Sequence, residues 1–287
     1  MELVSIKNRN FALIGYPLTH SMSPFIHKRL FTLSGIDESY RNIEIPPEQL
    51  DTQFHSLTML RGFNVTIPHK TAIIPFLTEL ESKAALFESV NTVVCGDTLK
   101  GYNTDTEGFL RSLSHCSVPL SGRVLIAGAG GTARMFAFEA ALHGCDTTIC
   151  CRDQSIEKAK KLKTDVQSKL GGASISVLPE SDIEGTYDLL LNSTPLGMYP
   201  NYIGRLPLKE TILSRCAAVF DAVYNPEDTA LLQLARANGA RAVGGMRMLV
   251  LQAVAAHEIW NQTVFSQDDI ETLIVDTNVE LQRVFSK

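Results

Sequence analysis

The sequence predicts an α/β fold of two domains, on three observations. Short apolar runs alternate with amphipathic stretches from Phe11 to Phe285, the pattern of strands joined by helices in a mostly parallel sheet. The pattern breaks at a connecting segment over residues 106–118 and restarts at Ser121 with a glycine-rich turn. The length of 287 residues suits two modest domains.

Each element follows from local chemistry. FALIGYP, from Phe11, is an apolar strand ending in a turn. In HSMSPFIHKRLFTLSG (20–35), Ser23 is placed to cap a helix, Pro24 to start it and Gly35 to close it. SYRNIEIP (39–46) reads as a strand, and residues 46–60 as a helix opened by proline. In GFNVTIPHK (62–70), Phe63, Val65 and Ile67 alternate with Asn64 and Thr66 until Pro68 stops the run. That is a strand with one apolar and one polar face. It delivers Asn64, Thr66 and Lys70 to the carboxyl end of a strand, where open α/β sheets bind ligands. A lysine there can serve as an acid or base; taken alone, the segment reads equally well as a polar strand end with a solvated lysine. Residues 71–87 read as one helix with Pro75 near its start, and SVNTVVCG (89–96) and KGYNTD (100–105) as two short strands.

In the second half, Val124–Ala127 is a fully apolar strand, residues 132–144 a helix closed by Gly144, and CDTTICCRD (145–153) the next strand. Further strands are expected at Ile175–Leu178, Asp188–Asn192 and Ala217–Val223, with a helix at Glu227–Gly239 among those between them. A long apolar helix over Met246–Trp260 and an amphipathic one over Asp268–Phe285 complete the chain.

Composition excludes several function classes. The chain is 45% hydrophobic and 20% charged, as an ordinary globular protein is. A net charge of −5 argues against broad binding to nucleic acid or anionic membrane. The six cysteines form no C-x-x-C pair and no zinc spacing, so no metal is expected. Cys150 and Cys151 are adjacent in a strand and read as small core residues of a reduced protein. MELVSIKNRN carries no signal pattern and no apolar run has membrane-spanning length. The cytoplasm is the expected location.

Gly128, Ala129, Gly130 and Gly131 directly follow the Val124–Ala127 strand and precede a helix. Glycine permits the tight turn and close approach of a pyrophosphate, whose charge then faces the helix amides. A lone G-x-G-G is weak evidence; inside β-α-β it favours a Rossmann-like dinucleotide-binding domain. The ribose-reading position lies about two dozen residues on and here reads Cys151-Arg152-Asp153. Arg152 favours the 2′-phosphate of NADP and Asp153 the free ribose of NAD, a mixed signal.

HSMSP (20–24), GFNVTIPHK (62–70), SVNTV (89–93), GYNTD (101–105), GAGGTAR (128–134), NSTPLGM (192–198), VYNP (223–226) and GGMRMLVLQA (244–253) occur in this order. Together they resemble the shikimate dehydrogenase family, including its quinate/shikimate branch, over nearly the whole chain. The resemblance implies a substrate-binding and catalytic domain over 1–108 plus 246–287, and a dinucleotide-binding domain over 109–245. It implies reversible reduction of 3-dehydroshikimate to shikimate, in aromatic amino-acid biosynthesis, with NADP as cofactor and NAD as an alternative. Lys70 matches the family's acid/base and Asp105 its partner. Ser21 and Ser23 match carboxylate-binding serines; Thr66, Asn91 and Gln252 match hydroxyl or carboxylate contacts, with Asn64 beside them. Gly128–Gly131, Arg152, Asn192, Ser193, Thr194 and Gly245 match cofactor contacts, and Tyr224 and Met248 would flank nicotinamide and substrate. The family's usual Asn-Arg-Thr with a second arginine is here Cys151-Arg152-Asp153 with Ile156, which looks more like the branch tolerating NAD. Competing readings are a quinate/shikimate dehydrogenase using NAD and an inactive nucleotide-binding regulator. Monomer and homodimer both fit the sequence.

Overall fold

A computed structural model describes residues 10–18 and 21–285. Most of the amino-terminal stretch read for a signal, and His20 of the HSMSP motif, lie outside the described residues. The chain divides into two compact units: unit 1 comprises Met1–Gly108 and Val250–Lys287, and unit 2 comprises Phe109–Leu249.

Unit 1 begins with β1 (Phe11–Gly15), α1 (Ser23–Ser34), β2 (Tyr40–Glu44), α2 (Leu50–Leu57), β3 (Gly62–Val65) and α3 (His69–Ala72). It continues through β4 (Glu79–Leu80), α4 (Ser82–Phe87), β5 (Thr92–Cys95) and β6 (Leu99–Tyr102) into α5 (Thr104–His115). The sheet order is β2-β1-β3-β5-β6-β4. β2, β1 and β3 are parallel, whereas β5 runs antiparallel to both β3 and β6. The β5–β6 connection is too short for a parallel crossover, so these two strands form a hairpin.

Alternation on β3 divides the sheet's two faces. Phe63 and Val65 join Ala12, Ile14 and Val93 in one apolar cluster, closed by Leu50, Leu57 and Ala84. The opposite face carries Phe11, Tyr40, Gly62, Asn64 and Thr92 by register. Phe11 there packs with Phe31, Ala256 and Trp260. A Cβ on Gly62 would lie 2.4 Å from the Trp260 Nε1; glycine leaves the slot in which the indole donates to Val93 O at 2.9 Å.

Several expectations need correction. β3 stops at Val65, and Ile67 is 73% exposed instead of extending the apolar face. Pro68 follows at once and Lys70 sits in the short turn of α3 rather than on a strand. Residues 71–87 are not one helix: Pro75 interrupts it by lacking an N–H, and β4 pairs with β6 instead. α4 then starts afresh because the Glu81 carboxylate accepts from the Lys83 and Ala84 amides at 3.0 and 3.1 Å. Ser23 is not a cap; it is the first residue of α1, whose cap Met22 makes no side-chain bond. The Ser23 amide instead donates to Ser21 Oγ at 3.2 Å.

Unit 2 runs β7 (Arg123–Ala127), α6 (Gly131–Leu142), β8 (Asp146–Cys150), α7 (Ile156–Lys169), β9 (Ile175–Leu178) and β10 (Leu189–Asn192). Then follow α8 (Glu210–Leu213), β11 (Ala218–Asp221), α9 (Ala230–Ala237) and β12 (Arg241–Gly244). The sheet is β12-β11-β10-β7-β8-β9, parallel throughout. In chain order within the unit this is 3-2-1-4-5-6, the doubly wound order, with its switch point between β7 and β10. β8 ends at Cys150, so Cys151 is a partly exposed loop residue, not a core one. β12 escapes the sequence reading because Arg-Ala-Val-Gly carries little strand signal. α10 (Gly245–Asn261) and α11 (Gln267–Phe285) end the described chain.

Candidate active site

Two motifs distant in sequence meet in unit 1. Lys70 Nζ donates to Asp105 Oδ2 at 2.5 Å, the two side chains being 29% and 21% exposed. Asp105 lies in the first turn of α5, where the helix dipole favours a carboxylate. Its other oxygen, Oδ1, accepts from Asn91 Nδ2 at 2.9 Å. Two donors therefore hold the charged form of Asp105 in one orientation.

Asn91 is fixed in turn. Its Oδ1 accepts from the Thr104 amide at 2.7 Å, from Thr104 Oγ1 at 3.1 Å and from Thr92 Oγ1 at 3.2 Å. It thus occupies an amide at the start of α5, a job usually done by a cap within the helix's own strand of chain. The Val90 amide donates to Lys70 O at 2.8 Å, tying α3 to the same segment.

Asn64 is 6% exposed. Its Nδ2 donates to Asn91 O at 3.1 Å and to Thr92 Oγ1 at 2.9 Å, while its Oδ1 accepts from the Tyr40 hydroxyl at 2.7 Å. Both amide hydrogens are spent, so Asn64 offers a ligand one lone pair and no donor. Gln252, on α10, reaches the cluster only at the limit, with Oε1 3.5 Å from Asn91 Nδ2. Ser21 and Ser23 are partly exposed at the entry to α1. Thr66 follows β3, its methyl against Gly15, where a Cβ would lie 2.4 Å away. Among the described residues no cluster of three or more His, Cys, Asp or Glu could hold a metal.

In unit 2 the site is made of backbone. Gly128 has φ +107°, and a Cβ there would lie 2.5 Å from Ser193 Oγ. Gly130 and Gly131 face open space. α6 starts at Gly131 with Gly130 as its cap, which has no side chain to occupy the first amides. An apolar strand, an open glycine turn and uncapped amides at a switch point fit a dinucleotide pyrophosphate. Ala129 lies within that turn, and Arg152 and Asp153 are exposed beyond the end of β8. Among the described residues Arg152 makes no ion pair. Tyr224 is partly buried, which pushes its phenol up. Met248 is partly buried in α10. A Cβ on Gly245 would meet Ala222 O at 2.5 Å, so only glycine fits there.

Asn192 differs from the expectation of a direct cofactor contact. It is fully buried. Its Nδ2 donates to Asp221 Oδ1 at 2.8 Å, and its Oδ1 accepts from the amide and hydroxyl of Thr194 at 3.0 and 2.7 Å. Ser193 Oγ donates to Ala127 O at 2.6 Å. Asn192 thereby shapes the loop that abuts Gly128 rather than facing it.

Sequence reading missed Tyr40, Thr92, Asp221 and Thr229. Asp221, at the end of β11, is fully buried and accepts from Asn192, Thr229 Oγ1 and the Val223 amide. Burial pushes its carboxyl up, against those three bonds. A charged residue closing an apolar strand was the available signal; Tyr40 and Thr92 looked like ordinary strand formers.

Known proteins resemble this chain in sequence and in fold. The model of the shikimate dehydrogenase substrate binding domain matches residues 13–93. A shikimate dehydrogenase (NADP(+)) of Shouchella clausii is 40% identical over 261 residues, 88% of this chain and 92% of that protein. A crystal structure of shikimate dehydrogenase in complex with NADP+ superposes with a TM-score of 0.86 at 33% identity, covering 96% of this chain and 97% of that one. Quinate dehydrogenase from Corynebacterium glutamicum in complex with NAD superposes with a TM-score of 0.81 at 27% identity, covering 95% and 99%. Identity at this level over most of the chain and most of the Shouchella clausii relative shows that the chain belongs to the shikimate dehydrogenase family.

Proposed function

We propose that this protein reversibly reduces 3-dehydroshikimate to shikimate with NADP, with unit 1 binding the substrate and unit 2 the dinucleotide. The observation that supports this most is the Lys70–Asp105 pair held by Asn91. NADPH, when bound, supplies the hydride to the ring carbonyl carbon. Lys70 donates the proton that the carbonyl oxygen gains, and in the reverse direction it takes that proton back. Asp105 accepts from Lys70 and keeps the ammonium aimed, and Asn91 keeps Asp105 from turning away. Asn64 accepts a hydrogen bond from a substrate hydroxyl, since no donor of its own is left. Ser21, Ser23, Thr66 and Gln252 supply the remaining polar contacts. In unit 2, Gly128–Gly131 receives the pyrophosphate, Ser193, Thr194, Gly245 and Met248 line the dinucleotide, and Arg152 and Asp153 read the adenosine ribose.

A second reading is supported by Asp153 beside Arg152 and by Ile156 in place of a second arginine: use of NAD as well, with quinate as an alternative substrate. An inactive regulator would have no use for a lysine and aspartate joined in this way. A cytoplasmic enzyme, monomeric or homodimeric, fits this reading. Among the described residues no helix is long and apolar enough to cross a membrane. The test is a dehydrogenase assay crossing shikimate and quinate with NADP and NAD. Highest kcat/KM for shikimate with NADP is expected, and turnover of neither acid with either cofactor overturns the reading.

A further inference from the structure

We infer that Tyr40 is a positioning residue of the substrate site, which orients Asn64 so that its carbonyl oxygen alone is presented to a ligand hydroxyl. The inference rests on the substrate reading above for what Asn64 touches, and on unit 1 geometry for what Tyr40 does.

Tyr40 opens β2, the edge strand, and is in register with Phe11 of β1, which is in register with Gly62 of β3. Asn64 lies two residues beyond Gly62 and so projects to the same face as Tyr40. Phe11 and Leu13 of β1 lie between the two strands, and the phenol leans across β1 to reach Asn64. The hydroxyl donates to Asn64 Oδ1 at 2.7 Å. An amide can flip end for end at little cost when its surroundings accept either orientation. Here they do not: a phenol proton points at one end, and Asn91 O and Thr92 Oγ1 accept at the other.

The phenol is itself held. Its ring stacks on the His27 imidazole with centroids 4.1 Å apart and planes at 10°. His27 is fully buried and neither ring nitrogen has a hydrogen-bond partner. It therefore serves Tyr40 as a flat wall and not as a proton acceptor. Burial, and His257 beyond it, hold His27 well below its usual range, against the opposing effect of the nearby Asn64 side chain, so the wall is uncharged at neutral pH. Burial also pushes the Tyr40 phenol well above its usual range, while the Ser23 hydroxyl acts against that shift. The phenol is consequently a donor at every working pH.

The test is Tyr40→Phe, which keeps the ring on His27 and removes only the donor. Two measurements are made on it, alone and with Asn64→Ala. The first follows the Asn64 side-chain amide by NMR in the ligand-free protein; faster hydrogen exchange of its two protons is expected once the phenol no longer holds the far end. The second is kinetic: KM for shikimate should rise on the order of fivefold, the size of one neutral hydrogen bond, with kcat and the cofactor KM unchanged. In the Asn64→Ala background Tyr40→Phe should add nothing to KM. An equal KM effect in both backgrounds overturns action through Asn64. Unchanged exchange and unchanged KM, with only a lower melting temperature, shows a purely structural tyrosine and overturns the inference. Failure of the wild-type protein to turn over shikimate would overturn the substrate reading instead, and the amide exchange would still decide whether Tyr40 orients Asn64.

Discussion

Around the carboxyl end of β3 in unit 1, Asn64, Asn91 and Asp105 are each bonded to other side chains. Beyond β7 of unit 2, the turn is glycine-rich, and Gly130 and Gly131 face open space. Both lie at carboxyl ends of parallel strands, yet one presents oriented side chains and the other presents bare amides. The difference follows from what each holds. A small polyhydroxy acid is discriminated by the position of single donors and acceptors, which must be fixed beforehand. A pyrophosphate needs several N–H groups at close range, which backbone supplies only when Cβ atoms are absent.

The comparison breaks most visibly at Lys70. Lys70→Ala should lower kcat by roughly 10²–10⁴-fold while leaving the KM for the cofactor close to wild type. Steady-state kinetics with varied NADP checks this; a near-normal kcat would remove Lys70 from proton transfer.

Acid should separate the two units. His257 in unit 1 is fully buried and its imidazole is pulled down to about 4; His27, 6.2 Å away between ring centroids, is also held low. The unfolded chain takes up these protons near pH 6.5 and the folded unit does not, so unit 1 loses stability as the pH falls from about 6.5 towards 4. His257 alone makes that loss about 3 kcal/mol. Asp221 of unit 2 has the opposite sign. Its carboxyl is pushed up by burial, so its contribution is fullest below pH ~3.8 and declines as the pH rises. Calorimetric scans from pH 7 to pH 4 should show one transition falling steeply and another held. Transitions that fall together would show that these buried groups do not set the acid response.

The smallest effect sharpens cofactor choice. Arg152→Ala should weaken kcat/KM for NADP roughly tenfold and NAD hardly at all, because a charge-assisted bond to the 2′-phosphate is lost. Asp153→Ala should weaken NAD and spare or improve NADP. Equal losses for both cofactors in Arg152→Ala would show that Arg152 does not read the phosphate.

Legibility in the sequence also differed between the units. The β7–α6 turn was readable because glycine after an apolar strand has few other uses, and unit 2 followed as a repeating pattern. In unit 1 the motifs flagged Asn91 and the pairing of Lys70 with Asp105, but not that Asn91 holds Asp105 and an amide of α5. Tyr40 and Thr92 are unremarkable strand residues until register places them beside Asn64. The single helix expected over residues 71–87 failed because periodicity outweighed Pro75 and the capping carboxylate of Glu81. Ser23 misled for a related reason: a serine before proline suggests a cap, and only the backbone shows that the helix starts there.

The slot at Gly62 has a bearing on how the protein is made. Its occupant, Trp260, lies in the part of α10 that is synthesised after all of unit 2. Until then the β1–β3 face bearing Phe11 and Gly62 has left the ribosome without its cover. At 5–20 residues per second, the delay between Gly108 and Val250 is roughly seven to thirty seconds. Unit 2 is contiguous and can close during that interval, so the first unit to emerge is the last to finish. Stalled nascent chains ending before α10 should therefore be cleaved readily by protease within residues 10–108 while unit 2 resists; equal resistance of both would show that the early strands fold without their late cover.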